Sequence, residues 1–217
     1  MDVINWSYAI CVLVGLVCYA RIESKPLRYF VVFLAINTSA DFFLTGAPLA
    51  SERLTLLTRG IYVVLKPIEY GLFVAIFGYT QAGKPYRTIA WASVGILALL
   101  GLYQLLFDLD NNSAATNVIL VKGVFTLVLV LNYFYELLIS DEVLYLTRDP
   151  LFWLATALLF FNAGNVVVTG FYHRLYEYSP SIAKSMYYVN YVGNLVLCVL
   201  YGVTFILATR NNKADEE

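Results

Sequence analysis

Seven long apolar runs follow one another along the chain, at residues 3–20, 27–49, 56–80, 86–107, 114–139, 150–172 and 181–209. Each is separated from the next by a short break rich in charge or turn residues, such as Ala82-Gly83-Lys84-Pro85 and Asp108-Leu109-Asp110-Asn111-Asn112. A helix rises 1.5 Å per residue, so about 20 mainly apolar residues cross about 30 Å of hydrocarbon. The pattern therefore predicts an all-α polytopic integral membrane protein of seven transmembrane helices. Residues 1–209 form a single domain and 210–217 a short cytoplasmic tail. Pro26 and Pro150 fall in the first turn of the second and sixth runs, where the missing N–H costs nothing.

Composition agrees with the pattern. Of 217 residues 60% are hydrophobic and 13% charged, and the mean hydropathy of +0.71 is too high for a soluble domain. The 14 Lys and Arg nearly cancel the 15 Asp and Glu, so no net field advertises nucleic acid, and the lipid bilayer is the partner that composition implies. Cys11, Cys18 and Cys198 lie inside apolar runs and read as small hydrophobes. Asp2 and the absence of a basic n-region make the first run a retained helix instead of a cleaved signal. Basic residues in short loops prefer the cytoplasm. With the N-terminus outside, the inner segments hold eight (Arg21, Lys25, Arg28, Lys84, Arg87, Arg148, Arg210, Lys213) and the outer ones four (Arg53, Arg59, Arg174, Lys184). The expected orientation is N-terminus out, C-terminus in. The triplets starting at Asn5 and Asn111 match a glycosylation acceptor and are given no weight.

Aligning the second run with the sixth at an offset of 124 pairs Pro26-Leu27 with Pro150-Leu151 and Thr45-Gly46 with Thr169-Gly170 without a gap. Polar positions coincide as well: Thr38 with Asn162, Asp41 with Asn165, Thr45 with Thr169, on one helical face. A true repeat would make helices 1–3 and 5–7 same-sense units joined by helix 4, an arrangement found in some transporters. Helices 3 and 7 match poorly at this offset, and chance alignment of two proline-started apolar helices is the alternative.

Ionisable groups inside spans are costly and so mark sites by default. Here they are Asp41, Lys66, Glu69 and Lys122. By rise per residue, Asp41 lies about 20 Å above Arg28, while Lys66 and Glu69 lie about 10 and 15 Å below Arg59. Lys122, Asn162, Asn165, Asn190 and Asn194 fall near the same outer layer. Lys66 and Glu69 share a face at i, i+3, Pro67 frees the Val63 carbonyl, and Tyr62 and Tyr70 stand one turn to either side of Lys66. A ligand-binding pocket in the outer half of the bilayer, built from these ten residues, is one reading. A buried network in which Asp41 pairs with Lys66 or Lys122 and only fixes packing is the other. Tyr187, Asn190, Tyr191 and Asn194 form a polar stripe that suits a cavity or a helix contact. Trp6, Tyr29 and Tyr86 suit an interfacial belt. Glu136 and the single His, His173, sit at helix ends within reach of headgroups.

One His excludes a multi-histidine metal site and an HExxH motif, and no metal, cofactor or catalytic residue is assigned, although Glu69 with Asp41 could serve as an acid/base pair that protonates an isoprenoid double bond or moves a proton through a carrier. Pro67-Ile68-Glu69 resembles the Pro-x-Glu element of membrane lycopene cyclases, but Tyr70 stands where that family carries a second acid. The outline resembles microbial rhodopsins, whose mid-helix-7 lysine has no counterpart here beyond Lys184 at the start of the last run. With Lys66-Pro67-Ile68-Glu69-Tyr70 and Asp149-Pro150-Leu151-Phe152-Trp153, the chain resembles small uncharacterised bacterial seven-helix membrane proteins related to the sensing halves of histidine kinases. That resemblance implies a sensor or receptor-like module in the bacterial inner membrane that binds a small-molecule ligand. The tail is too short for a kinase, so a separate cytoplasmic signalling partner is implied as well. The alternatives are a small proton-coupled solute carrier and, third, a membrane enzyme acting on an isoprenoid or lipid.

Overall fold

The computed structural model describes residues 3–46, 52–78, 84–107, 114–140 and 146–214. Among them are seven α-helices: α1 (Val3–Cys18), α2 (Lys25–Gly46), α3 (Glu52–Gly78), α4 (Lys84–Phe107), α5 (Ala114–Ile139), α6 (Pro150–Tyr178) and α7 (Pro180–Ala214). Short 3-10 turns, Tyr19–Arg21 and Leu146–Arg148, follow α1 and precede α6. Six helices, α1 and α3 to α7, are long and apolar enough to cross a membrane. Over its described residues α2 is not among these six.

Boundaries differ from the hydropathy runs mainly at the C-terminal end. α7 continues to Ala214, so residues 210–214 extend the helix beyond the apolar run. The segment Arg210-Asn211-Asn212-Lys213 contains no Gly or Pro to stop it. α6 likewise runs on to Tyr178, leaving only Ser179 before Pro180 opens α7. Both expected prolines open their helices, Pro26 as the second residue of α2 and Pro150 as the first of α6.

Six helices close a ring in the order α1, α2, α3, α5, α6, α7, each packed on the next and α7 back on α1, while α4 stands outside against α3 and α5. The interior near the α1–α2 connection is a knot of rings. Phe30 of α2 lies 5.4 Å from Phe73, 5.1 Å from Tyr201 and 6.2 Å from Phe205, all buried. Outward faces carry Leu13, Val17, Leu99, Val128, Leu138 and Phe160, which stand exposed as a lipid-facing surface must.

Between such helices packing is set by close approach, because lipid tails remove the hydrophobic drive that water supplies. Gly123 of α5 meets α6 so closely that a Cβ there would stand 2.7 Å from Val166 Cγ2. Pro67 leaves α3 continuous and frees the Val63 carbonyl, which faces Gly101 of α4; a Cβ on Gly101 would stand 3.1 Å from that oxygen. The bare glycine is what lets α4 lie against the proline turn.

Asp149 explains the second short motif. Its Oδ1 accepts the Leu151 N–H at 2.9 Å as the N-cap of α6, and its Oδ2 accepts the Tyr133 hydroxyl of α5 at 2.9 Å. Trp153 Nε1 donates to the Thr147 carbonyl at 3.1 Å and pins the approach to the same cap. Asp149→Ala is expected to cost about 1–2 kcal/mol through the lost cap alone. Thermal unfolding in detergent should show a lowered Tm that Asp149→Asn largely restores, since asparagine also caps.

Candidate functional site

One end of the six-helix ring encloses a cavity of about 560 Å³. It is the end where α1, α3, α5 and α7 begin and α2 and α6 finish. Polar side chains reach it from every helix of the ring. Asn5 and Tyr8 come from α1, Asn37 and Asp41 from α2, and Thr58, Tyr62, Lys66 and Glu69 from α3. Lys122 comes from α5, Asn165 from α6, and Asn190, Asn194 and Tyr201 from α7. Phe33, Leu34, Ile119, Phe161 and Leu197 supply apolar wall between them.

A charged cluster lies on the α3–α5 side. Glu69 accepts from Lys66 through Oε2 and from Lys122 through Oε1, each at 3.0 Å. The three side chains are 14%, 17% and 6% exposed, so the carboxylate is shared between two nearly buried ammonium groups. Tying both lysines to one acid is what makes their burial tolerable, since an unpaired charge in this environment costs several kcal/mol. Aromatic faces assist: Lys66 Nζ lies 5.7 Å from the Tyr62 ring centroid and Lys122 Nζ 5.4 Å from that of Phe73.

Asp41 is held differently from either expected ion pair. Tyr62 donates its hydroxyl to Asp41 Oδ1 at 2.6 Å, and Asn37 Nδ2 donates to Oδ2 at 3.3 Å. Asn37 Oδ1, buried in the cavity wall, has no hydrogen-bond partner. This side of the cavity thus presents the Asp41 carboxylate, and the α3–α5 side presents ammonium donors.

The opposite wall is an amide ladder. Tyr8 donates to Asn194 Oδ1 at 2.8 Å, and Asn194 Nδ2 donates to Asn190 Oδ1 at 2.8 Å and to its carbonyl at 2.9 Å. Asn190 Nδ2 and Thr169 Oγ1 both donate to Asn165 Oδ1 at 3.2 Å. The ladder joins α1, α7 and α6 in one line of hydrogen bonds.

Eight of the ten residues expected from the sequence line the cavity: Asp41, Tyr62, Lys66, Glu69, Lys122, Asn165, Asn190 and Asn194. Two face elsewhere. Tyr70 is a residue beyond Glu69, about 100° further round the helix, and its hydroxyl pairs with Ser93 Oγ of α4 at 2.8 Å. Asn162 is buried towards α5 and donates to the Leu158 carbonyl at 2.8 Å; its Oδ1 would lie 3.7 Å from a Cβ on Gly123. Asn5, Tyr8, Asn37 and Thr58 were not anticipated. Asn5 and Tyr8 at i, i+3, and Asn37 and Asp41 at i, i+4, carry the same helical-face signal that singled out Lys66 and Glu69. The side chains of Thr45, His173, Lys184 and Tyr187, and the triplet at Asn111, lie outside the described residues.

The shared carboxylate makes a graded prediction. Glu69→Gln strands two lysines and should destabilise by about 3–5 kcal/mol, whereas Lys66→Met or Lys122→Met leaves one complete pair and should cost less. Thermal unfolding of the three variants in detergent measures the order, and equal effects would show that the cluster does not act as a unit.

No protein-family model matches the chain, and neither a curated protein nor a solved structure shows significant similarity to it.

Proposed function

We propose that the chain is a multi-pass membrane sensor that binds a small polar ligand in the cavity of its six-helix ring. In this reading all seven helices span the bacterial inner membrane, with the N-terminus outside and the cavity in the outer half. Eight inner against four outer basic residues support that orientation. The length of α2 and its packing between α1 and α3 support it as the seventh span.

The observation that carries the reading is the construction of the cavity. Every helix of the ring contributes polar lining, so a ligand bridging the walls would bias the position of all six at once. The two sides differ in sign: Lys66 and Lys122 suit an acidic group, while Asp41 suits a donor such as a hydroxyl or amine. Each ammonium has three donor hydrogens, and Glu69 uses one of each, which leaves donors for a ligand acid without displacing Glu69. Below the cavity the packed rings of Phe30, Phe73, Tyr201 and Phe205 favour access from one side, which suits a sensor and equally one state of an alternating-access carrier. A separate cytoplasmic partner would read the rearrangement.

The second reading is a proton-coupled solute carrier. It is favoured by Asp41 and Asn165 occupying matched positions of α2 and α6 and both facing the cavity. A membrane enzyme with Glu69 as its proton donor is disfavoured, because both Glu69 oxygens are engaged by lysines and neither is free to carry a proton to a substrate.

Native mass spectrometry of gently solubilised protein should reveal a small molecule on the wild type that is lost from Asp41→Ala and Glu69→Ala. Sealed vesicles holding the wild type should pass no net flux of that molecule. Turnover flux dependent on a pH gradient would replace the sensor with the carrier.

A further inference from the structure

A second, smaller cavity of about 260 Å³ lies on the lipid-facing side of the α6–α7 seam. Its outer lips are Phe160, Val189, Val192 and Val196, all exposed, and its floor is opened by Gly164 and Gly193. A Cβ on Gly164 would meet nothing within 4 Å, and one on Gly193 only the Phe161 ring at 3.8 Å. The back of this groove is Phe161, Asn165 and Asn190, three residues that also line the α6–α7 wall of the polar cavity, beside Asn194, Leu197 and Tyr201. A hydrocarbon surface and a charged chamber are therefore separated by one ring and one amide–amide hydrogen bond of 3.2 Å.

We infer that the ligand is a single-chain amphiphile that reaches the polar cavity sideways from the bilayer, its chain lying between α6 and α7 along Gly164 and Gly193. Its head carries an acid for Lys66 and Lys122 and a donor for Asp41. The inference rests on the polar cavity being a ligand site and adds the class of molecule and the route. The chemistry of the two spaces sets the occupant. Methylene groups pass from the acyl layer into an apolar groove at little cost only where the groove opens to that layer, and a headgroup gains from the chamber only by replacing its lost hydration with ammonium, carboxylate and amide partners. Parting the Asn165–Asn190 pair is affordable because a bound head can offer both amides a replacement partner.

The test uses the full chain in phosphatidylcholine vesicles with β-hydroxypalmitate bearing a diazirine on its chain. Labelling should concentrate on the α6–α7 groove, be displaced by excess β-hydroxypalmitate, and resist methyl palmitate, which has the chain without the acid. Gly164→Trp fills open space, so it should fold normally and reduce specific labelling at least about tenfold. The same variant should leave binding of β-hydroxybutyrate, the head without the chain, unchanged by saturation-transfer NMR. Labelling that is not displaced, or that spreads evenly over the lipid-facing helices, overturns the inference. If β-hydroxybutyrate binds in a way that depends on Lys66 and Lys122 while the long chain leaves the groove unlabelled, lateral access fails and the polar site stands. If neither probe binds and no molecule is lost from Asp41→Ala, both readings fail.

Discussion

Two ammonium groups share one carboxylate inside a bundle whose outer surface is hydrocarbon, and the rest of the arrangement follows from making that tolerable. Glu69 must reach Lys122 on α5 as well as Lys66 on its own helix, which fixes the rotation of α3. Once Glu69 points into the ring, Tyr62 and Lys66 follow it at helical spacing, while Val64 and Ile68 turn out to stand about half exposed. Tyr70 is carried past the cavity to α4, where Ser93 takes its hydroxyl. Pro67 lies between the two charges, and the carbonyl it frees is lodged against Gly101.

The remaining walls solve the same problem with neutral groups. An asparagine side chain in a bilayer must find partners, and the ladder from Tyr8 through Asn194 and Asn190 to Asn165 lets each amide serve the next. These bonds tie α1, α7 and α6, while the Glu69 pairs tie α3 and α5 and the Tyr62–Asp41 bond ties α3 and α2. Every helix of the ring thereby contributes to a polar contact at the level of the cavity. A change in that layer would be felt around the whole ring, which is the mechanical basis for reading it as a sensor.

Polarity also changes sharply along the axis of the bundle. On one side of the midpoint the interior holds ionisable and amide groups around open space; on the other it holds Phe30, Phe73, Tyr201 and Phe205 in contact. Packed aromatic rings resist separation because few rotamers are open to them and every displaced contact is lost outright. In the proposed sensor the cavity would deform at its polar end while its floor stays fixed.

The sequence alone determined that the chain is helical and apolar, where its breaks fall, and which depth the ionisable groups share. Those properties depend on hydropathy and on rise per residue, which are local. The i, i+3 spacing of Lys66 and Glu69 was legible for the same reason, and so was the proline at the start of α6, although its Asp149 cap required Tyr133 from another helix. Which partners meet was decided only by the tertiary structure. Glu69 takes both lysines and Asp41 takes Tyr62, because helix rotation and the order of helices around the ring set those distances. Nearly uniform apolar helices hold little record of either. Asn5, Tyr8 and Asn37 became site residues, and Asn162 and Tyr70 did not, by the same rotations. The placement of α4 outside the ring is likewise a matter of glycine contacts between helices, which no periodicity along a single helix encodes.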